Sequence, residues 1–503
     1  MSDRTFQLIA LVLYFVAMLG IGYYAYRRTT DHEDYMLAGR KLHPVTAALS
    51  AGASDMSGWL MMGLPGAIYA VGLIESWIAV GLTVGAYLNW RFVAPRLRAY
   101  TETARNSITI PSFFENRLHD RSRSLRVASG AIVLVFFTFY VSSMMVAGGE
   151  FFVLAFGTSY LTGMLIVVAV TLSYTLFGGF LAASLTDVVQ GTMMMLALLT
   201  IPVAALTALG GVGETLEAIR EVDATRLSFF ADTGFTGAAV IGIVSALAWG
   251  LGYFGQPHII VRFMAMRAPS SARTARLVGI SWMAVSLVGA VVAGLIGVAY
   301  FHRAGAPLEN SEHVVLALTQ DLFHPLIVGF VFAAVLAAIM STVSSQLIVS
   351  SSAFVEDLFR IFKRDASPGL LVMLGRLAVL AVAVIATLMA LNPSDTILGL
   401  VAFAWAGFGA SFGPAILLSL FWRRLTNWGA LAGMVTGAVT VFVWSSVGPE
   451  ILGATLYEIV PGFAANLVVA VVVSRLTYSV DEEMEREFTE AVDDARAKAP
   501  RPS

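Results

Sequence analysis

The 503-residue chain contains no cysteine. Disulfides, thiolate nucleophiles and cysteine-based metal sites are therefore excluded. Charge is scarce as well. Only 13% of the residues are Asp, Glu, Lys or Arg, against about 25% in a soluble domain. The 31 basic and 33 acidic residues leave a net charge of −2, so there is no basic field to hold nucleic acid. So few charges cannot cover the surface of a soluble enzyme or solvate a disordered chain. Strand-type alternation is missing, which argues against a membrane β-barrel. What the chain has in abundance is apolar: 58% is Ala, Val, Ile, Leu, Met, Phe, Trp, Tyr or Cys. That balance indicates an all-α integral membrane protein crossing the bilayer many times.

Apolar stretches of about 20 residues, long enough to cross roughly 30 Å of hydrocarbon, recur about thirteen times. They lie near 6–26, 46–69, 73–90, 127–155, 160–177, 187–209, 237–256, 277–301, 325–358, 371–391, 396–421, 428–447 and 455–474. The first has no basic segment before it and no small-residue cleavage site after it, so it reads as a span rather than a signal peptide. Thirteen spans put the termini on opposite sides. With that alternation, 27 of the 31 basic residues fall on one side, and only Arg4, Arg220, Arg226 and Arg303 fall on the other. The positive-inside rule then places the N-terminus outside and the tail, 481–503, in the cytoplasm, with the chain in the cell membrane. Loops and tail are too short for a signalling or enzymatic domain.

Two spans carry breaks. The second reads Ser50-Ala51-Gly52-Ala53-Ser54-Asp55-Met56-Ser57-Gly58-Trp59. Placing Asp55 at mid-span costs about 2.5–3.5 kcal/mol, so it should face protein or water. The seventh reads Trp249 through His258, with Gly250, Gly252, Gly255 and Pro257, a composition that opposes a continuous helix. Glycine in one helix often means only close packing. A matched pair five spans apart means more. Each opens a five-helix unit, 46–209 and 237–421, and an odd unit length inverts the second in the membrane. The segment 1–45 precedes the pair, and two more helices, 422–480, follow. Interrupted segments at matching places in two halves point to a transporter's central site. The Gly250–Gly255 run also fits G-x-G-x-x-G, but no strand or βαβ unit surrounds it.

The ninth span holds Ala338, Ser341 and Thr342. Both hydroxyls reach the Ala338 carbonyl by a three- or four-residue step back along a helix. Such neutral oxygens suit Na⁺ better than a transition metal. An unwound turn at Ala53 and Met56 would add carbonyls. Hydroxyls that merely join membrane helices are the alternative for this motif alone.

Together these residues resemble the solute:sodium symporter family, and within it the sodium/proline branch. The resemblance rests on Ala51–Trp59, Trp249–His258, Ala338–Thr342, Ala404-Trp405-Ala406-Gly407-Phe408-Gly409 and Arg423–Gly433, and it runs from about Asp34 to Arg475. It implies the LeuT-type fold, an inverted repeat of five and five helices with one extra helix before and two after. It implies a sodium site from the carbonyls of Ala53, Met56 and Ala338 and the hydroxyls of Ser341 and Thr342, with Asp55 shaping the site or the ion's path. It implies a pocket for L-proline from Ser57, Gly58, Tyr140, Trp249, Tyr253 and Pro257. Na⁺ is the coupling ion and no organic cofactor is expected.

The chemistry is consistent with that assignment. Half-helix N-termini offer N–H groups to a carboxylate, and aromatic side chains offer a flat wall to a pyrrolidine ring. Asp187 fits either the ion's release path or an interfacial position. Arg40 fits either a gate or a salt bridge to Asp34. Glu150 has no place in the family pattern. The expected activity is sodium-coupled symport by alternating access, not enzymatic catalysis. A symporter of the same family for another amino acid, carboxylate or sugar is the alternative.

Overall fold

In the computed structural model, residues 3–28, 37–230, 236–363 and 366–496 are described, and they are almost entirely helical. The long helices are α1 (Asp3–Tyr26), α2 (Pro44–Asp55), α3 (Leu64–Val71), α4 (Ser76–Leu88), α5 (Ala94–Thr103), α6 (Ile110–Arg117), α7 (Ser124–Phe156) and α8 (Tyr160–Ala208). They continue as α9 (Val212–Asp223), α10 (Gly237–Gly252), α11 (Pro257–Ala265), α12 (Ala272–Arg303), α13 (Val314–Leu322) and α14 (Pro325–Ser352). The last five are α15 (Pro368–Met389), α16 (Ile397–Phe421), α17 (Asn427–Val447), α18 (Ile459–Thr477) and α19 (Glu482–Arg496). A two-residue hairpin, β1 (Glu450–Ile451) with β2 (Ala454–Thr455), is the one sheet among the described residues.

Ten helices among the described residues are long and apolar enough to cross a membrane. This is fewer than the thirteen stretches read from hydropathy, and local geometry accounts for the difference. The expected second span is split into α2 and α3. The third is α4, interrupted by a π-helical turn at Asn89–Val93 before α5. The fifth and sixth were expected as two spans with a short connection. They lie in α8, helical from Tyr160 to Ala208, as two apolar parts, Tyr160–Ser173 and Phe180–Ala208. The loop expected near 210–236 also carries structure, namely α9.

Both breaks fall where glycine, proline and small residues opposed a helix. Helix α2 starts at Pro44, which has no N–H to leave unsatisfied. It ends at Asp55; Met56 turns away from helical geometry at φ −80°, ψ 81°. Helix then resumes through a π-helical turn at Trp59–Gly63. In the other half, α10 ends in a tight turn at Tyr253–Gly255, and Gln256 is extended before Pro257 opens α11. The backbone of α10 lies directly on α4. A Cβ on Gly85 would sit 2.2 Å from the Gly250 carbonyl oxygen, so only glycine permits this approach.

A third helix contains a proline and stays whole. Pro414 cannot donate to the Ala410 carbonyl four residues back. Asn466 of α18 supplies the missing donor, with Nδ2 at 2.7 Å from the carbonyls of both Ala410 and Ser411. The segments rich in arginine gather at one end. Leu42 pairs with Met266 as an isolated bridge, and Arg98 donates to the Met266 carbonyl. The tail helix α19 packs there on α5. Its Phe488 is buried between Arg117 and Arg423, each 5.3 Å from the ring centre.

Candidate functional site

The break after α2 faces the middle of α14. Ser341 Oγ donates to the Ala53 carbonyl at 3.0 Å and to the Ala338 carbonyl at 3.1 Å. Thr342 Oγ1 donates to the Ser54 carbonyl at 3.0 Å. All five residues are buried. Four of the oxygen-bearing residues expected at a cation site are thus together, and Ser54 joins them through its carbonyl. Met56 is buried at the end of α2, and its own N–H is spent on Gly52 at 2.8 Å. Serine and threonine oxygens interleaved with carbonyls on two helices form a neutral, buried oxygen cluster. That is the donor set a hard monovalent cation takes without a protonatable ligand.

Asp55 lies beside this cluster and points elsewhere. Its carboxylate accepts the hydroxyl of Tyr253, and its second oxygen, Oδ1, has no hydrogen-bond partner. Its carbonyl accepts Trp59 Nε1 at 3.0 Å and the Tyr140 hydroxyl at 3.5 Å. Asp55 therefore ties the first break to the second. A buried carboxylate oxygen left unpaired is costly unless a cation or donor serves it.

Of the expected pocket residues, Ser57, Gly58, Tyr140, Trp249 and Tyr253 lie around the first break, whereas Pro257 lines a separate cavity with Thr109, Phe180 and Asp357. Ser57, Tyr140, Trp249, Tyr253 and Pro257 are all buried. Gly58 sits against Ala147 and Ile339, where a Cβ would come within 3.0 and 3.2 Å of them. The ring of Trp249 lies 6.2 Å from Trp59, and Tyr253 meets Trp405 edge-on at 5.2 Å. Tyr140 meets His258 edge-on at 5.9 Å. Aromatic rings thus pack around the two unwound turns.

Towards the arginine-rich end, Asp187 is fully buried and paired with Arg262 at 3.2 Å. Ser50 Oγ donates to the same carboxylate oxygen at 2.6 Å, and Arg262 reaches Ser50 Oγ at 3.0 Å and Ser345 Oγ at 2.8 Å. One ionic group thereby holds α2, α8, α11 and α14 together. Arg40 is buried and donates to Thr101 Oγ1 at 3.1 Å, the Met264 carbonyl at 3.0 Å and the Ser107 carbonyl at 2.7 Å. The salt bridge considered with Asp34 lies outside the described residues.

The family model for the sodium:solute symporter family matches residues 35–437. The chain belongs to this family. Relatives of this symporter cover it almost end to end. It is 54% identical to the high-affinity proline transporter PutP of Bacillus subtilis (strain 168) over 477 residues, 95% of this chain and 99% of that one. It is 53% identical to the osmoregulated proline transporter OpuE of the same organism, over 93% of this chain and 94% of that one. It is 47% identical to a sodium/proline symporter of Staphylococcus aureus (strain JH9), over 97% and 96%. Among solved structures, a Na⁺-coupled sialic acid symporter in a substrate-bound outward-open state superposes with TM-score 0.78 at 18% identity, covering 95% of this chain and 99% of that one. At that identity the likeness concerns the fold, the LeuT type. The chain is a multi-pass membrane transporter and not an enzyme.

Several residues of this symporter's centre escaped the sequence reading. Arg262 is one, although an arginine one turn after the broken segment of an apolar span was a visible signal. Trp405 stood inside a quoted motif but had no assigned role. Its Nε1 donates to the Trp249 carbonyl at 2.8 Å, closing the unwound end of α10. Asn89 does the same for the Tyr253 carbonyl at 2.8 Å, and Gln256, in the break itself, donates to the Trp405 carbonyl of α16 at 3.0 Å. Each of these bonds joins segments distant in sequence, so spacing along the chain could not reveal them.

Proposed function

We propose that the chain carries L-proline into the cell together with Na⁺ by alternating access. The relatives named as proline transporters match it at 47–54% identity over nearly its whole length, and the aromatic pocket beside a neutral oxygen cluster suits a zwitterionic imino acid and a cation. The observation that carries the reading is the contact of Ser341 and Thr342 with the unwound end of α2. The two ligands share one backbone turn.

In this reading the N-terminus is outside and the arginine-rich end is cytoplasmic. The two units, 46–209 and 237–421, act as inverted repeats around the breaks. Na⁺ enters from outside and binds among the carbonyls of Ala53, Met56 and Ala338 and the hydroxyls of Ser341 and Thr342. The hydroxyls that now donate to carbonyls turn their lone pairs to the ion. This fixes the turn at 56–58, where Gly58 offers its backbone N–H to the proline carboxylate and Ser57, whose N–H is held by the Asp55 carbonyl at 3.0 Å, offers its hydroxyl. Trp249, Tyr253 and Tyr140 cover the pyrrolidine ring. Asp55 links the ion's turn to Tyr253, so filling one site orders the other, which is positive coupling. Opening the cytoplasmic end requires Asp187 and Arg262 to part, which makes Asp187 a group the leaving ion meets. Arg40 anchors the loops around that exit.

The energy is sufficient. One charge crossing 100 mV supplies about 2.3 kcal/mol, and a tenfold Na⁺ gradient adds about 1.4 kcal/mol. The total, about 3.7 kcal/mol, sustains roughly 500-fold accumulation at one ion per substrate. The test is radiolabelled proline uptake into proteoliposomes with and without an inward Na⁺ gradient. Uptake should require the gradient, and an excess of a sugar or an unrelated carboxylate should not compete. Gradient-independent uptake, or competition by those solutes, would overturn the reading.

A further inference from the structure

Glu150 is a charged residue within the apolar helix α7, and the cation and proline sites make no use of it. It lies near the end of α7 away from the arginine-rich loops. There it meets the connection between α12 and α13, which makes a short turn at Ser311–His313. Glu150 Oε2 accepts His313 Nε2 at 3.0 Å and Asn310 Nδ2 at 3.5 Å. Since Nε2 donates to the carboxylate, it carries the proton, and Asn310 turns its own carbonyl to the Glu312 N–H at 3.0 Å. The contact is ordered from within the turn as well as from α7.

The same turn rests on the half-helix α3. A Cβ on Gly66 would lie 2.8 Å from Glu312 Cα, so backbone touches backbone. The Leu308 N–H donates to the Tyr69 hydroxyl at 3.1 Å. On its far side, Glu312 accepts the first N–H groups of α16, from Ile397 at 3.1 Å and Leu398 at 3.2 Å. The turn is therefore a strap. It lies across the half-helix that continues from the substrate turn, and it is fastened to α16 at one edge and to α7 at the other. The α7 fastening is the lighter one: the side chains of His313 and Glu150 are 16% and 26% exposed. Water can reach it, so it can open without stranding a charge.

We propose that Glu150 and His313 are positioning residues, a latch that holds this strap closed over α3 once substrate has bound. The latch rests on the transport reading above. A loaded pocket pulls α3 and the strap together. The Nε2–Oε2 bond then lengthens the time the pocket stays shut, and its loss lets substrate escape by the way it came. Losing such a bond shifts the closed–open balance by about two- to tenfold.

The absence of cysteine makes the test direct. A single cysteine at Met62, buried in the turn leading into α3, reports opening by its rate of maleimide labelling in purified protein with saturating Na⁺ and proline. Glu150→Leu and His313→Leu should each speed labelling about fivefold and raise the apparent KM for proline more than they lower Vmax. The double variant should label no faster than either single one. His313→Gln keeps a donor and should label as slowly as the parent. Unchanged labelling, additive single effects, or no rescue by glutamine would overturn the latch. Failure of the Met62→Cys parent to be slowed by Na⁺ and proline, with Leu308→Cys in the strap behaving alike, would instead overturn the transport reading on which the latch depends.

Discussion

The two ends of the central site are closed by opposite kinds of chemistry. At the arginine-rich end a fully buried ion pair, Asp187 with Arg262, joins four helices, its side chains 0% and 1% exposed. At the other end a strap is held by a histidine–glutamate contact that water can reach, and by two backbone N–H groups on Glu312. The difference in kind matters for the cycle. Removing one partner of a buried pair strands a charge and costs about 3–5 kcal/mol. A partly exposed pair is worth only about 0–1 kcal/mol. The end facing the arginines is a lock, released by rearrangement of several helices at once. The opposite end is a light catch that can open and shut while substrate is sampled. A symporter gains from that asymmetry, because a leak through the locked end would dissipate the ion gradient.

The comparison breaks most sharply at Asp187. Asp187→Ala leaves Arg262 buried and unpaired, and should lower stability by about 3–5 kcal/mol, read as a drop in thermal midpoint in detergent. The paired replacement Asp187→Leu with Arg262→Met should recover most of that stability and still fail to transport. If the double variant transported normally, the ion pair would be packing and not a lock. The Glu150 and His313 variants come next, with effects near fivefold. The smallest effect belongs to the tail. Asp481 accepts the Met484 N–H at 3.0 Å, and His119 sits between Asp481 and Glu487 at 3.2 Å from each. The Met484 N–H, with His119 behind it, holds the Asp481 carboxyl below the ordinary carboxylate range. A depressed carboxyl stabilises the fold above its unfolded value and loses that contribution as pH falls through the folded one. Asp481→Ala should therefore free α19 modestly at neutral pH, seen as faster amide exchange across 482–496. The variant and the parent should converge in acid.

How much of this was visible in the chain itself follows from what each feature depends on. The breaks at Met56 and Gln256 were legible because glycine, proline and small residues act on their own backbone, wherever the helix ends up. The pairing of Ala338 with Ser341 was legible for the same reason, since it is a step along one helix. The span count was less so. Hydropathy registers a split helix as apolar throughout, so it cannot see the break between α2 and α3 or the π-helical turn after α4. The donors that close the unwound end of α10, Trp405 and Asn89, were hidden, because each reaches across tertiary space. The Ser54 carbonyl went unread for a similar reason: which carbonyl faces Thr342 is set by how α2 lies on α14. Glu150 was noticed as an anomaly, but its partner His313 is 163 residues away.

The central claim is that one turn of backbone serves both ligands, with Ser341 and Thr342 binding the ion against the end of α2. Equilibrium binding of labelled proline, titrated with Na⁺ in the parent and in Thr342→Ala, tests it most directly. The Na⁺ concentration giving half-maximal proline binding should rise by about tenfold, the loss of roughly 1.4 kcal/mol. Proline affinity at saturating Na⁺ should stay near the parent's. An unchanged Na⁺ requirement, or a loss of proline affinity that added Na⁺ cannot restore, would contradict the assignment.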